Sequence, residues 1–281
     1  NLNTAKGECL LCQCVPVSNC EILVPGKVVL TENSGMSPQH QFGQLVNVEE
    51  VAPSVAIFEL ELDQPITFLA GQYLLLRLPA MEGYRPYSMT SFSICSQNPT
   101  FVIKCVPGGR FSETLFNDKF KAARVDVFGP MGKATFDPAE ERDLTCMVGG
   151  SGIAGIMSIL RQSRDIDYFS EHKLTMVFGV RKPEDFFFLD ELREIQESVP
   201  ANINIHLAVS DSSNSKSVPA ELAGLPIWRG FVHEVAERVM AKDLSGRLGL
   251  LGGPPAMLDG SLRLLLSAGV PVHDIRYDKF G

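Results

Sequence analysis

At Asp143 the hydrophobic rhythm of the chain changes, and that change narrows the available folds more than any other feature. Beyond it, apolar runs of strand length alternate with helix-length amphipathic stretches. Residues 144–148, 174–179, 203–209 and 247–251 read as strands, and 153–163, 189–198, 232–241 and 256–268 read as helices. Residues 274–280 read as a last extended segment. Strands that alternate with helices predict a parallel sheet wrapped on both faces. Upstream the pattern differs. Residues 42–51, 56–62, 73–78, 91–95, 101–106 and 124–128 are short β-rich runs separated by turn signals, which suits a small antiparallel barrel. One short helix, from Phe111 through Phe116, interrupts them. The expected architecture is a β barrel followed by a doubly wound α/β domain.

With 281 residues the chain has room for two such domains. Hydrophobic residues make up 45% and charged residues 21%, enough apolar material for two cores. A net charge of −8 argues against nucleic acid as a partner, because phosphate binding needs a basic surface. No apolar run approaches the ~20 residues that span a bilayer, and no signal peptide is visible, so neither a membrane nor a secretory route is expected. Seven cysteines, an odd number, argue against a disulfide framework and for a reducing cytoplasm. Cys95, Cys105 and Cys146 lie singly in apolar runs and read as small buried hydrophobes. The five histidines show no metal-ligand spacing. Trp228 is expected to pack within the second domain.

Four stretches carry chemistry. In Arg85-Pro86-Tyr87-Ser88-Met89-Thr90-Ser91 a cation, a rigid proline, a phenol and small hydroxyls share seven positions. In an extended segment Arg85, Tyr87 and Met89 point one way, and Pro86, Ser88 and Thr90 the other. Such a strand end suits a phosphorylated ligand with a flat ring; an ordinary strand with a solvated arginine is the plainer reading. Gly149-Gly150-Ser151-Gly152-Ile153-Ala154 follows a strand and opens a helix, where free amides and the helix dipole favour a pyrophosphate. It is not the usual G-x-G-x-x-G, so a plain Rossmann dehydrogenase is not implied. Gly108-Gly109-Arg110-Phe111-Ser112-Glu113 leads into the short helix with Ser112 as its expected cap, a role compatible with a second phosphate cradle. Gly252-Gly253-Pro254-Pro255-Ala256-Met257 again joins a strand to a helix, on the same rim of the sheet as the 149–154 loop.

These motifs, together with Gly129-Pro130-x-Gly132, occur in the order and spacing of the ferredoxin–NADP reductase superfamily, which residues 42–281 resemble. The resemblance implies a barrel domain (42–140) that binds FAD and a second domain (141–281) that binds a nicotinamide dinucleotide. Arg85 would pair with the flavin pyrophosphate. Tyr87 would pack on the ring system and Ser88 would lie near the reactive N5. Met89, Thr90 and Ser91 would complete that strand end, and Gly108, Gly109, Phe111 and Ser112 would hold phosphate. The loop Gly149, Gly150, Ser151, Gly152, Ile153 and Ala154 would face Gly253, Pro254, Pro255 and Met257 across the dinucleotide. Relatives that use NADP carry Ser-Arg where this chain has Ser210-Asp211. A carboxylate there would repel a 2′-phosphate and accept bonds from ribose hydroxyls, which favours NADH; Lys216 nearby weakens the inference. Two positions depart from the family pattern: Gly252 stands where many members have cysteine, and Gly155 where the loop usually ends in proline. Hydride transfer is compatible with both departures, and the expected effect is on dinucleotide affinity or ring placement. Phe280, in the closing Tyr277-Asp278-Lys279-Phe280, would shield the flavin or simply pack.

Residues 1–24 hold Cys9, Cys12, Cys14 and Cys20, and 25–41 read as a linker. The stretch around Cys12 resembles the end of a plant-type ferredoxin domain, with Cys12 as the fourth ligand of a 2Fe–2S cluster. The other three ligands would come from upstream residues not in this chain. Zinc is the rival, though paired C-x₂₋₄-C knuckles are lacking. The resemblance as a whole implies the NADH-dependent reductase component of a bacterial multicomponent oxygenase, of the kind used in aromatic hydrocarbon catabolism. It would pass electrons through FAD and the cluster to a ferredoxin or oxygenase component. A cluster-free flavin reductase and a docking flavoprotein subunit with weakened hydride transfer are the alternatives.

Overall fold

Two sheets of opposite character, one antiparallel and one almost wholly parallel, form the body made by residues 35–281. The computed structural model describes residues 7, 17–23, 37–79, 81–92, 95–117, 123–211 and 221–279. The first sheet holds β1 (Gln39–Ala52), β2 (Val55–Leu62), β3 (Tyr73–Arg77), β4 (Arg85–Ser88), β5 (Thr100–Lys104) and β6 (Ala123–Met131). Its order is β4-β3-β6-β1-β2-β5, with antiparallel neighbours throughout. Along β2, Phe58, Leu60 and Leu62 are buried while Glu59 and Glu61 turn outward, the period of two that a half-buried strand requires. These side chains meet Leu45, Leu74, Leu76, Phe101 and Val127 in one core, against which α1 (Arg110–Asn117) lays Phe111 and Leu115. Met89 bridges Phe101, and the Thr90 amide donates to the Thr100 carbonyl at 2.8 Å, so the two edges meet and the sheet closes into a barrel.

The strand expected at 91–95 is replaced by β4, which starts six residues earlier. Of that segment, 93 and 94 lie outside the described residues, and 91 and 92 are irregular. Pro86 is tolerated because β4 is an end strand of the sheet order. After Ser88 the chain leaves β3 and takes β5 as its partner. Met89 and Thr90 are therefore both buried, and the two-face alternation expected for 85–90 stops at Ser88.

The second sheet holds β7 (Leu144–Gly149), β8 (Leu174–Val180), β9 (Ile203–Val209), β10 (Glu221–Leu222), β11 (Leu225–Arg229), β12 (Leu248–Gly253) and β13 (Ile275–Lys279). Its order is β10-β11-β9-β8-β7-β12-β13, parallel except for the β10–β11 pair. On one face α2 (Ala154–Asp165) and α3 (Leu189–Ser198) pack over Leu144, Cys146, Val148 and Met176. On the other, α4 (Val232–Val239) and α5 (Pro255–Ser267) pack over Met147, Val177 and Leu251. Central strands buried on both faces read as near-continuous apolar runs, as β7, broken only by the buried Thr145, and β12 do. From β7 the chain steps outward through β8 and β9 to β11, then returns to set β12 on the other side of β7. The strand order thus reverses between β7 and β12.

The pair β10 and β11 is absent from the sequence expectation. Proline within Leu225-Pro226-Ile227-Trp228-Arg229 masks the strand pattern, but the pairing partner is near the sheet edge, where a missing amide is tolerated. Trp228 is not in the core: it is 37% exposed, and its indole N–H donates to His206 Nδ1 at 3.3 Å. Among the three lone cysteines only Cys146 is buried, with its thiol pushed up to about 12 by desolvation. Cys105, just beyond the end of β5, is half-buried, and Cys95, in the connection between β4 and β5, is exposed. Among the described residues no helix is long and apolar enough to cross a membrane.

Candidate functional site

In an open α/β sheet, ligands bind beyond the carboxyl ends of strands where the order reverses. Here that crevice lies between the loops that follow β7 and β12. A single 3₁₀ turn, Gly150–Ile153, joins β7 to α2, and Pro254 alone joins β12 to α5, which opens on Pro255. The two loops touch backbone to backbone. A Cβ on Gly252 would lie 2.1 Å from the Gly152 carbonyl oxygen, and a Cβ on Gly152 would lie 2.4 Å from the Gly252 carbonyl carbon. No side chain fits at 252 while the 149–153 loop holds this position, so Gly252 has a packing reason of its own. Met257 fills the space beside them, its sulfur 2.7 Å from where a Cβ on Gly149 would stand.

Glycine is needed for a different reason at Gly108 (φ +77) and Gly150 (φ +53). Both adopt left-handed backbone, and nothing lies within 4 Å of an added Cβ at either. These two turns therefore border open space, as a loop that receives phosphate must. Gly108 leads into α1, but Ser112 is not its cap: the helix starts at Arg110, two residues earlier. The Ser112 hydroxyl donates to the Gly109 carbonyl (3.2 Å) and accepts from the Val106 amide (3.1 Å), while Glu113 accepts from the Gly108 amide at 2.7 Å. Both side chains hold the shape of the glycine turn.

At the start of β4, Arg85 is exposed, and its guanidinium donates to the neighbouring Tyr84 carbonyl at 3.0 Å. Among the described residues it enters no ion pair, which leaves its charge available to an anion. Tyr87 is half-buried with its ring 5.2 Å from that of Phe111, and burial raises its phenol above the usual range. Ser88 is buried, and its hydroxyl donates to Asp278 Oδ2 on β13 at 3.0 Å. Desolvation pushes the Asp278 carboxyl up to about 6, against the opposing pull of the Ser88 bond. A Cβ added to Gly155 would lie 3.6–3.7 Å from Ser88 Cβ, the Gly71 oxygen and Asp278 Oδ2. The first turn of α2 thus packs directly on this pair. Sequence reasoning missed Asp278; it stands in the closing Tyr-Asp-Lys-Phe, which was read only for its aromatic.

Farther along the same rim, the amide of Ser210 donates to the Val180 carbonyl and that of Asp211 to the Arg181 carbonyl. This places Asp211 at the carboxyl end of β9. Phe231, just past β11, is 57% exposed and stacks on His233 at 6.0 Å. It was not picked out from the sequence, although an aromatic after a strand and before a capped helix is a usable signal. The remaining expectations, for Phe280, Cys12 and Lys216, fall outside the described residues. Among the described residues no group of His, Cys, Asp and Glu is gathered as a metal site would need.

Comparison with known proteins agrees with this layout. Residues 43–136 match the oxidoreductase FAD-binding domain, and residues 147–262 match the oxidoreductase NAD-binding domain. The chain is 30% identical over 276 residues to the ferredoxin–NAD(P)(+) reductase CarAd of Metapseudomonas resinovorans, covering 96% of this chain and 78% of that one. It is 28% identical to the reductase component of propane 2-monooxygenase from Mycolicibacterium goodii, covering 98% of this chain and 77% of the relative. Among solved structures, the ferredoxin reductase in carbazole 1,9a-dioxygenase superposes with a TM-score of 0.72 at 30% identity, over 87% of this chain and 70% of that one. The Amycolatopsis cytochrome P450 reductase GcoB superposes with a TM-score of 0.76 at 25% identity, over 87% and 71% of the two chains.

Proposed function

The chain belongs to the ferredoxin reductase family of FAD- and NAD-binding oxidoreductases, and from that premise we propose that it carries electrons from NADH through FAD to the ferredoxin or oxygenase component of an oxygenase system. The observation that carries this reading is the meeting of three elements. The end of β4, the first turn of α2 and the end of β13 bring Ser88, Gly155 and Asp278 together beside the reversal of strand order. Residues 42–140 form the flavin domain in this reading and 141–281 the dinucleotide domain. Bound there, the two cofactors supply the redox chemistry, the nicotinamide as a two-electron donor and the flavin as the group that releases electrons singly.

The protein's own part is to bind, orient and hold a proton. Arg85 neutralises the flavin pyrophosphate, with the Gly108–Gly109 turn and the start of α1 as its amide cradle. Tyr87 gives the ring system an apolar wall backed by Phe111. Met89, Thr90 and Ser91 fix the strand end. The Ser88 hydroxyl, held by a carboxyl that is protonated up to about pH 6, keeps a proton beside the ring. The amides of the 149–154 loop and the Gly253-Pro254-Pro255 turn flank the dinucleotide pyrophosphate, with Met257 behind them. Asp211 accepts from ribose hydroxyls and repels a 2′-phosphate, which selects NADH. Phe231 offers an exposed ring to the base.

The finer steps rest on the relatives. Several of them are named as reductase components of oxygenase systems, which supports the choice of partner. Cys12, within its ferredoxin-like pattern, supports a 2Fe–2S cluster as the exit for electrons. NADH oxidation with ferricyanide as acceptor tests the core of the reading, and steady turnover that requires added FAD is the expected result. Absence of turnover would favour a docking subunit. Iron and labile sulfide in the protein isolated from cells separate a cluster-bearing reductase from a cluster-free one.

A further inference from the structure

Arg161, in the third turn of α2, is held from three directions. Its Nε and Nη2 donate to the two carboxylate oxygens of Glu191 at 2.7 and 2.8 Å, a bidentate pair with the first turn of α3. Its Nη1 donates to the carbonyl of Thr90 at 2.7 Å, and its guanidinium carbon lies 5.5 Å from the centre of the Phe188 ring. Both side chains of the ion pair are about a quarter exposed. Thr90 stands two residues beyond Ser88 and is itself buried, its amide and hydroxyl both engaged with Thr100 of β5. One turn earlier on the same face of α2, Ser158 accepts from the Gly71 amide at 2.8 Å and donates to the Gly155 carbonyl.

The elements joined here are the ones that must keep a fixed spacing. α2 springs from the 149–153 loop, and α3 follows the segment 181–188 at the carboxyl end of β8. Thr90 belongs to the 85–91 segment on the barrel. A surface ion pair alone would be worth little. A planar fork that also caps a backbone carbonyl of the other sheet does more, because it fixes an orientation between them. We propose that Arg161 is a positioning residue that locks the flavin-side segment 88–91 to the two elements flanking the dinucleotide crevice. The proposal rests on the reading of the two sites given above. Truncation of Arg161 leaves the Thr90 carbonyl without its donor and Glu191 without its counter-charge, and the two sites lose their fixed spacing. Misplacement of reacting groups by about 1 Å costs roughly a hundredfold in rate.

The test uses the full flavin-loaded chain with Arg161→Met, Arg161→Lys, Glu191→Gln and the Arg161→Met/Glu191→Gln double variant. Single-turnover reduction of the flavin by saturating NADH is expected to slow roughly ten- to a hundredfold in Arg161→Met. The half-saturating NADH concentration and the flavin absorption spectrum should hardly change. Arg161→Lys keeps one donor for Thr90 and should recover part of the rate. The double variant should be no slower than Arg161→Met. Hydrogen exchange without nucleotide gives a second readout: amides of both 88–91 and 189–192 should exchange faster in Arg161→Met. A rate within twofold of wild type, or faster exchange confined to α3, would overturn the proposal. Should Arg161→Met fail to fold, the same comparison on Arg161→Lys decides the question. A wild-type flavin that neither nucleotide reduces would overturn the functional reading itself, and this proposal with it.

Discussion

At the scale of single residues, one desolvated carboxyl and one cation unpaired among the described residues set what the junction can hold. Burial of Asp278 raises its folded pKa to about 6, above the ~3.9 of an unfolded chain. The fold therefore prefers the protonated carboxyl: this contribution is fully present below about pH 4 and is lost as pH rises through about 6. Asp278→Asn removes the titration. The melting temperature of the wild type relative to this variant is expected to be highest near pH 4 and to fall between pH 4 and 6; a difference that is flat with pH contradicts the assignment. Arg85 is argued from the opposite condition, a cation with no carboxylate partner among the described residues. Arg85→Ala should weaken FAD binding by roughly 1.5–3 kcal/mol, the worth of a charged hydrogen bond, with no comparable loss in the stability of the flavin-free chain. Fluorescence titration with FAD measures the first quantity and thermal melting the second.

At the scale of elements, the sequence was legible where a period repeats and opaque where a partner decides. The runs that became β7, β8, β9 and β12 were visible because they are mostly apolar, interrupted only by Thr145, Thr175, Asn204 and His206. β11 was not visible, since its proline and its half-exposed Trp228 carry no period, and only pairing with β9 makes it a strand. β4 was misplaced for the same reason: whether the 85–95 segment is extended at its start or its end depends on β3 and β5, not on local pattern. The glycine loops were found by their spacing, but the reason for Gly252 was not, because it lies in a contact with Gly152, 100 positions away in the chain. Gly252→Ala forces the β7 and β12 loops apart. It should destabilise the chain by about 1–3 kcal/mol, as overpacking does, and weaken nucleotide binding in step. An equally stable Gly252→Ala variant would mean that the two loops do not touch as described.

At the scale of the whole molecule, neither sheet alone makes the proposed site. The barrel brings Arg85, Tyr87 and Ser88; the α/β sheet brings the glycine loops, Asp211 and, through its last strand, Asp278. That division was foreseeable from the motifs, whereas the link across it through Asp278, Gly155, Ser158 and Arg161 was not: Asp278 and Gly155 stand in motifs that say nothing of their contact, and Ser158 and Arg161 stand in none. In the proposed function, electrons enter from NADH at this junction. An anaerobic titration of the FAD-loaded protein, with absorbance followed as NADH or NADPH is added, tests it most directly. Bleaching of the flavin by NADH at a concentration at least tenfold below that needed for NADPH is the predicted result. Equal bleaching by both would contradict the role given to Asp211, and no bleaching by either would contradict the claim as a whole.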